Sequence, residues 1–298
     1  MRSLLFVPAD SERKLAKALS CGADTIILDL EDAVSGETKD EARRRAIDFL
    51  EARPANAPRL MVRINGLASG LAEADLDAVI PARPDTIILP KCTSGGDVSI
   101  LSAMIATREA LTGLPDGRVG IVPLATETPG SVFQLSTYRG ASARLAGLAW
   151  ASEDLLTALG GEKTATADGL LTDPFRLART LCLYGAAHAG VPAIDRVSGN
   201  FRDLNAFRTE VESARQDGFA AKLAIHPDQV TIINAVFTPT PEAIERARAI
   251  VAAFENSPGK GVVGFEGQML DLPHLVQARA LLARAEAAGV SRKAGATP

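Results

Sequence analysis

The chain has 298 residues, 47% of them hydrophobic and 23% charged, and a formal net charge of −4. Composition this close to the globular average supports a folded core and excludes bulk disorder, and the length suits one large barrel or two ordinary domains. An acidic balance with only ten Phe, two Tyr and one Trp excludes nucleic acid as an expected partner, since that partner calls for a basic footprint and stacking platforms.

The first residues, Met1-Arg2-Ser3-Leu4-Leu5-Phe6-Val7-Pro8, carry one basic group and an apolar stretch too short for a signal peptide. No run reaches the ~18 apolar residues of a membrane span, so a cytoplasmic protein with no membrane partner is expected. The same stretch opens a series of eight short apolar, β-branched runs: 4–7, 25–28, 60–64, 86–89, 119–124, 145–150, 191–194 and 223–226. Most are continuous rather than alternating, as in strands buried on both faces. Helical patterns fall between several of them, at 11–20, 39–52, 71–79, 99–111, 174–190 and 205–217. Strands alternating with helices predict right-handed βαβ units and a parallel sheet. Eight strands in about 230 residues predict an α/β fold, a (β/α)₈ TIM barrel over residues 1–238. An open doubly wound sheet is the competing architecture, but no Gly-x-Gly-x-x-Gly follows the first run.

After the eighth run, Pro239-Thr240-Pro241 precedes a helical pattern at 242–255, a glycine-rich connector at 258–267 and a second helix at 273–288. Residues 239–298 are therefore expected to form a C-terminal helical extension. It reads either as a lid or arm reaching a neighbouring subunit, or as a helical hairpin packed on the barrel bottom. The residues from Arg292 on are expected to fray.

Cys21, Cys92 and Cys182 form no C-x-x-C pair, and His188, His226 and His274 share no short ligand spacing. A disulfide framework and a structural zinc site are thereby set aside. A metal here would rest on carboxylates, which points to magnesium or manganese.

Barrel enzymes work at the C-terminal ends of their strands. There the chain places Asp29-Leu30-Glu31-Asp32, Arg63-Ile64-Asn65-Gly66, Pro90-Lys91, Glu127, Glu153-Asp154, Asp195 and His226. Polar groups converging on one rim need a ligand or a partner to offset their burial. Glu127 and Asp154 suit oxygen ligation of Mg²⁺ or Mn²⁺, or else an ion pair and a helix cap respectively. Arg63 suits a bidentate clamp on a substrate carboxylate, or a salt bridge to Asp29, Glu31 or Asp32, and the two roles can coexist. Asp29 and Asp32 are candidate holders of metal-bound water, or simply partners of Arg63. Lys91 reads as a Schiff-base or an ion-paired lysine. Arg13, Lys14 and Lys17 follow the Asp10-Ser11 cap as a phosphate grip or a solvated face. His226 reads as a hydrogen-bonded corner residue rather than a base, and Trp150 as core.

Six motifs in order give these residues a family resemblance: Gly22-Ala23-Asp24 to Leu28-Asp29-Leu30-Glu31-Asp32-Ala33-Val34, Arg63-Ile64-Asn65, Leu89-Pro90-Lys91, Glu127-Thr128-Pro129-Gly130, Glu153-Asp154-Leu155 and Ala224-Ile225-His226-Pro227. Over nearly its whole length the chain resembles the citrate lyase β-subunit-like branch of the HpcH/HpaI aldolases, which includes malyl-CoA and citramalyl-CoA lyases. The resemblance implies a (β/α)₈ barrel in a homo-oligomer, often a trimer or a multiple of three. It implies Mg²⁺ on Glu127 and Asp154, a substrate carboxylate on Arg63 supported by Asp29 and Asp32, and coenzyme A phosphates on Arg13 and Lys14. In the tail, Gly267-Gln268-Met269-Leu270-Asp271 is similar to the family's lid motif, whose aspartate, here Asp271, implies an acid/base reaching an adjacent subunit's site. Glu266 and Gln268 stand where relatives often carry aspartate and lysine, which leaves the acyl group open. The implied reaction is reversible cleavage of a short β-hydroxyacyl-CoA thioester into an acyl-CoA and a 2-keto acid. Hydrolysis of the thioester, or a β subunit needing acyl-carrier and transferase partners, are the alternatives.

Overall fold

All eight apolar runs fold as β-strands, and each lies parallel to its neighbours in the order β5-β4-β3-β2-β1-β8-β7-β6. The computed structural model describes residues 1–290. The strands are β1 (Ser3–Pro8), β2 (Thr25–Asp29), β3 (Arg59–Arg63), β4 (Thr86–Leu89), β5 (Gly120–Pro123), β6 (Leu148–Ala149), β7 (Ala193–Asp195) and β8 (Ala221–Ala224). Between and after them run α1 (Glu12–Ala18), α2 (Lys39–Glu51), α3 (Ala72–Val79), α4 (Gly95–Thr112), α5 (Pro129–Val132), α6 (Glu153–Leu159), α7 (Asp173–Ala189), α8 (Leu204–Asp217) and α9 (Pro227–Phe237). Every residue of β2, β4 and β8 is buried, as continuous apolar runs covered on both faces require.

The sheet comes close to shutting on itself at β5 and β6, where isolated parallel bridges join Ile121 to Leu145 and Leu124 to Ala149. The Ala146 and Ala125 N–H groups donate across this seam to Ile121 and Ala149 carbonyls, both at 2.8 Å. The seam explains why the run expected at 145–150 keeps two ladder residues. Leu145 and Ala149 meet Ile121 and Leu124 through single bridges, so no continuous ladder forms there.

A tight contact fixes the start of α4. A Cβ added at Gly95 would stand 2.1 Å from the Thr137 carbonyl oxygen, while the Gly95 N–H donates to Thr137 Oγ1 at 2.8 Å. Gly95→Ala is therefore expected to cost about 3 kcal/mol in urea unfolding, since backbone must move to admit the methyl group. Gly96→Ala meets only the Ser94 hydroxyl, at 3.2 Å, and is expected to cost less than about 1 kcal/mol. Equal losses would show that the contact with Thr137 is not the constraint.

Packing divides the chain into two units, Arg2–Asn234 and a second that takes Met1 and the residues from Ala235 on. The second unit holds α10 (Pro241–Glu255), the antiparallel pair β9 (Val262–Phe265) and β10 (Gln268–Asp271), and α11 (Leu272–Ala287). Its core gathers Phe254, Val263, Leu270 and Leu275. The two helices lie where the sequence predicts them, but the glycine-rich connector contains a hairpin. Its turn is Glu266-Gly267, both at positive φ (47° and 75°), as a two-residue turn between twisted strands demands. Among the described residues no helix is long and apolar enough to cross a membrane.

Candidate active site

Register brings the first charged pair together. Asp29 ends β2 directly opposite Arg63 at the end of β3, so both side chains leave the same face of the sheet. Arg63 Nε and Nη2 donate to Asp29 Oδ1 and Oδ2 at 2.7 and 2.6 Å, a bidentate fork. Its Nη1 lies 2.9 Å from Glu31 Oε2, and the guanidinium sits 4.8 Å above the Phe6 ring. Asp29 is 2% exposed. Burial works against the arginine's charge, but the hydrogen bonds and charge of Asp29, then of Glu31 and Asp32, outweigh it and raise its pKa.

The loop carrying Glu31 and Asp32 is held from outside the barrel. Lys39 Nζ donates to the Leu30 and Glu31 carbonyls at 2.6 and 2.8 Å and to Asn65 Oδ1 at 2.9 Å. Asn65 Nδ2 in turn donates to Leu30 O at 3.1 Å and to the buried Asp75 carboxylate at 2.7 Å. Neither Lys39 nor Asp75 was among the sequence candidates, although each carries a signal. Lys39 opens α2, where a cation opposes the helix dipole. Asp75 falls on the buried face that Ala72, Leu76 and Val79 define for α3.

Glu127 and Asp154 bring the second group together. Glu127 follows β5 and is 3% exposed, and its Oε2 accepts the Lys91 N–H. Burial pushes its pKa up to about 8, with Asp154 and Glu31 adding to the shift and the Lys91 N–H opposing it. Asp154 lies in the first turn of α6, whose cap position belongs to Ser152, so its carboxylate is not the cap. Lys91 Nζ bonds Glu31 Oε1 and reaches Asp154 Oδ2 at 3.7 Å. Burial disfavours that ammonium, but Glu31, Asp154 and Asp32 together hold it charged, which is ion pairing rather than the neutral amine a Schiff base needs. Burial also raises the pKa of Glu31, against Arg63 and Lys91.

These groups open on one cavity of about 770 Å³ within the barrel unit. Arg63, Asp29, Asp32, Glu127, Asp154, Arg13 and Lys14 all line it, with apolar walls from Leu5, Val7, Leu124 and Leu223. Trp150 and His226 line it too, the histidine stacked on Phe201 with ring centroids 5.1 Å apart. Asp271 belongs to the other unit. There it occupies the N-cap of α11, its Oδ1 2.5 Å from His274 Nδ1.

Among the described residues no three Asp, Glu, His or Cys gather as a metal cluster. The donor set is a pair of carboxyls, one of them buried, its pKa raised by that burial and further by its neighbour. Hard oxygen donors in that number fit Mg²⁺ or Mn²⁺, which complete their shells with water and substrate, and they do not fit zinc.

Residues 2–227 match the family model described as HpcH/HpaI aldolase/citrate lyase, and residues 178–290 match that of a C-C bond lyase of the TIM-barrel fold. The chain is 36% identical over 299 residues to a (3S)-malyl-CoA thioesterase of Cereibacter sphaeroides, covering 98% of this chain and 96% of the relative. It is 33% identical to citrate lyase subunit beta of Leuconostoc mesenteroides, over 96% of this chain and 93% of that one. Among solved structures, the protein CitE from Mycobacterium tuberculosis in complex with magnesium, acetoacetate and coenzyme A superposes with a TM-score of 0.77 at 32% identity, covering 96% and 98% of the two chains.

Proposed function

From its membership of the HpcH/HpaI aldolase/citrate lyase family, we propose that this enzyme is a divalent-metal-dependent lyase for a short β-hydroxyacyl-CoA of the malyl-, citramalyl- or citryl-CoA kind. Its products would be an acyl-CoA and a 2-keto acid, and the reverse reaction would condense them. The observation that carries this reading is a carboxyl pair, buried Glu127 and half-exposed Asp154, and a doubly anchored arginine lining one cavity. Glu127 and Asp154 would hold the ion, and the magnesium in the related CitE complex supports that assignment. When bound, Mg²⁺ or Mn²⁺ supplies Lewis-acid stabilisation of the oxygen charge that develops as the carbon–carbon bond breaks.

The chain's own residues supply the rest. Arg63, fixed by Asp29 and Glu31, would grip the substrate carboxylate in a set orientation. Asp32 and Asp29 would order water and polar groups around the site. Arg13 and Lys14 would meet the coenzyme A phosphates, and the apolar walls would exclude bulk water from the acyl end. Loss of the hydroxyl proton to a base closes the keto-acid carbonyl and sends the bonding pair to the acyl α-carbon, which then takes a proton from an acid. We assign that acid/base role to Asp271, half exposed at its helix cap, delivered by a neighbouring subunit of a homo-oligomer, a trimer or a multiple of three.

A second reading is favoured by the 36% identity to a malyl-CoA thioesterase, in which water attacks the thioester carbonyl. Mass spectrometry of the three thioesters incubated with protein and Mg²⁺ separates the two. Acyl-CoA with an equal amount of 2-keto acid is expected. Free coenzyme A with intact hydroxy acid would select hydrolysis instead. Turnover that starts only on adding acyl-carrier and transferase proteins would make the chain a lyase subunit.

A further inference from the structure

Lys91 touches each acidic loop of the site. Its Nζ bonds Glu31 Oε1 and lies 3.4 Å from Asp32 Oδ2 and 3.7 Å from Asp154 Oδ2, while its N–H donates to Glu127 Oε2. It therefore contacts both candidate metal ligands, one through its backbone and the other through its ammonium. The residue sits at φ 52°, a conformation that residues with a Cβ rarely adopt. Its side chain is 44% exposed and lines a second cavity of about 630 Å³, which gives it room to move. Arg63 is engaged with Asp29 and Glu31, so the ammonium is the cation that faces Asp154.

We propose that the Lys91 ammonium is a built-in counter-cation of the metal site. It neutralises the acidic cluster before a divalent ion arrives, competes with that ion for Asp154, and so sets the metal affinity. The inference rests on the reading that Glu127 and Asp154 hold the ion. Five carboxyls, Asp29, Glu31, Asp32, Glu127 and Asp154, gather here against two directly paired cations, Arg63 and Lys91, with Lys39 behind the loop of Glu31 and Asp32. Removing one cation deepens the negative potential that an incoming ion meets. A divalent ion brings twice the ammonium's charge and can displace it toward the second cavity. The Lys91 N–H stays on Glu127 throughout, because side-chain substitution leaves the backbone donor in place.

The test is calorimetric titration of the purified chain with Mn²⁺, alongside thermal melts in EDTA and in saturating Mg²⁺. Lys91→Gln is expected to bind Mn²⁺ about tenfold more tightly than the wild type. It should melt below the wild type in EDTA, with the gap closing in Mg²⁺. Lys91→Arg, which keeps the charge, should stay within about threefold of the wild type. Lys91→Gly removes the ammonium and accepts φ 52° without strain, so it keeps the test open if Lys91→Gln does not fold. Unchanged or weaker Mn²⁺ binding in a folded, ammonium-less variant would overturn the proposal, because Lys91 would then be an organiser of the carboxylates or a bystander. Wild-type affinity that Glu127→Gln leaves unchanged would instead overturn the metal assignment on which the proposal stands.

Discussion

Glu127→Gln is expected to lower kcat/KM on the accepted thioester by roughly 10³-fold while the chain stays folded, because one of two oxygen donors loses its charge and the substitution keeps the volume. The same variant has a readout that needs no substrate. In the metal-free protein burial raises the Glu127 pKa to about 8, so a proton must leave before the carboxylate can take an ion. Wild-type Mg²⁺ affinity should then rise by about tenfold per pH unit as pH climbs toward 8, and flatten above it. Stability should move the other way. A carboxyl whose folded pKa exceeds its unfolded value of 4.5 contributes stability that is complete below pH 4.5 and is lost as pH rises through about 8. In EDTA the wild type is therefore expected to weaken by on the order of a few kcal/mol across that window. Glu127→Gln should weaken less and should lose the pH dependence of Mg²⁺ binding. Calorimetric Mg²⁺ titrations and urea melts between pH 5 and pH 9 measure both. A flat wild-type affinity profile would remove Glu127 from the metal site.

The fold was legible where burial on both faces leaves an uninterrupted apolar run, as at Ile26-Ile27-Leu28 and Ile87-Ile88-Leu89. It was less legible where tertiary context overrides local pattern. The apolar pattern starts the eighth run at Leu223, yet β8 begins at Ala221 and includes Lys222, a fully buried lysine that charge patterning places outside. Helix α9 opens at Pro227, and a proline directly after a strand end reads as a corner unless its place as first helical residue is considered. The β9–β10 hairpin was hidden by its glycines, although Glu266-Gly267 between the apolar pairs Val262-Val263 and Met269-Leu270 is a turn signal. For the site, strand-end position alone led to Arg63, Asp29, Glu127 and Asp154, because a parallel barrel delivers every strand end to one rim. It could not reveal that Lys91 joins the two acidic groups, since that depends on a backbone at φ 52°. Nor could it place Lys39 and Asp75, which act through a loop and lie on helices.

Lys222→Met is expected to destabilise the protein by about 3–5 kcal/mol, the usual consequence of removing one partner from a buried ion pair. Lys222 on β8 faces Asp195 on β7 in register, and neither is accessible to solvent beyond 1%. Its Nζ donates to Asp195 Oδ2 at 2.7 Å, to Glu210 Oε1 at 2.8 Å and to the Arg196 carbonyl at 2.8 Å. Asp195 also accepts the Trp150 indole N–H at 2.6 Å and lies 3.3 Å from Arg179 Nε. Burial would raise the Asp195 pKa, but Lys222 and Arg179 outweigh it and hold the carboxyl below its ordinary 3.8. That stability is present above pH 3.8 and is lost as pH falls through the lower folded value. With Lys222 replaced, only Arg179 and the Trp150 N–H are left to hold the charge, so acid unfolding should begin at higher pH than in the wild type. Because Asp195 fixes a tryptophan that walls the cavity, the same substitution should raise KM more than it lowers kcat. Lys222→Arg keeps the charge but must fit a wider head into a filled core, and should recover the acid midpoint more fully than the stability. If Lys222→Met instead unfolds at the wild-type urea midpoint and acid pH, the network contributes position to Trp150 without contributing to the fold. The change in KM should then persist alone.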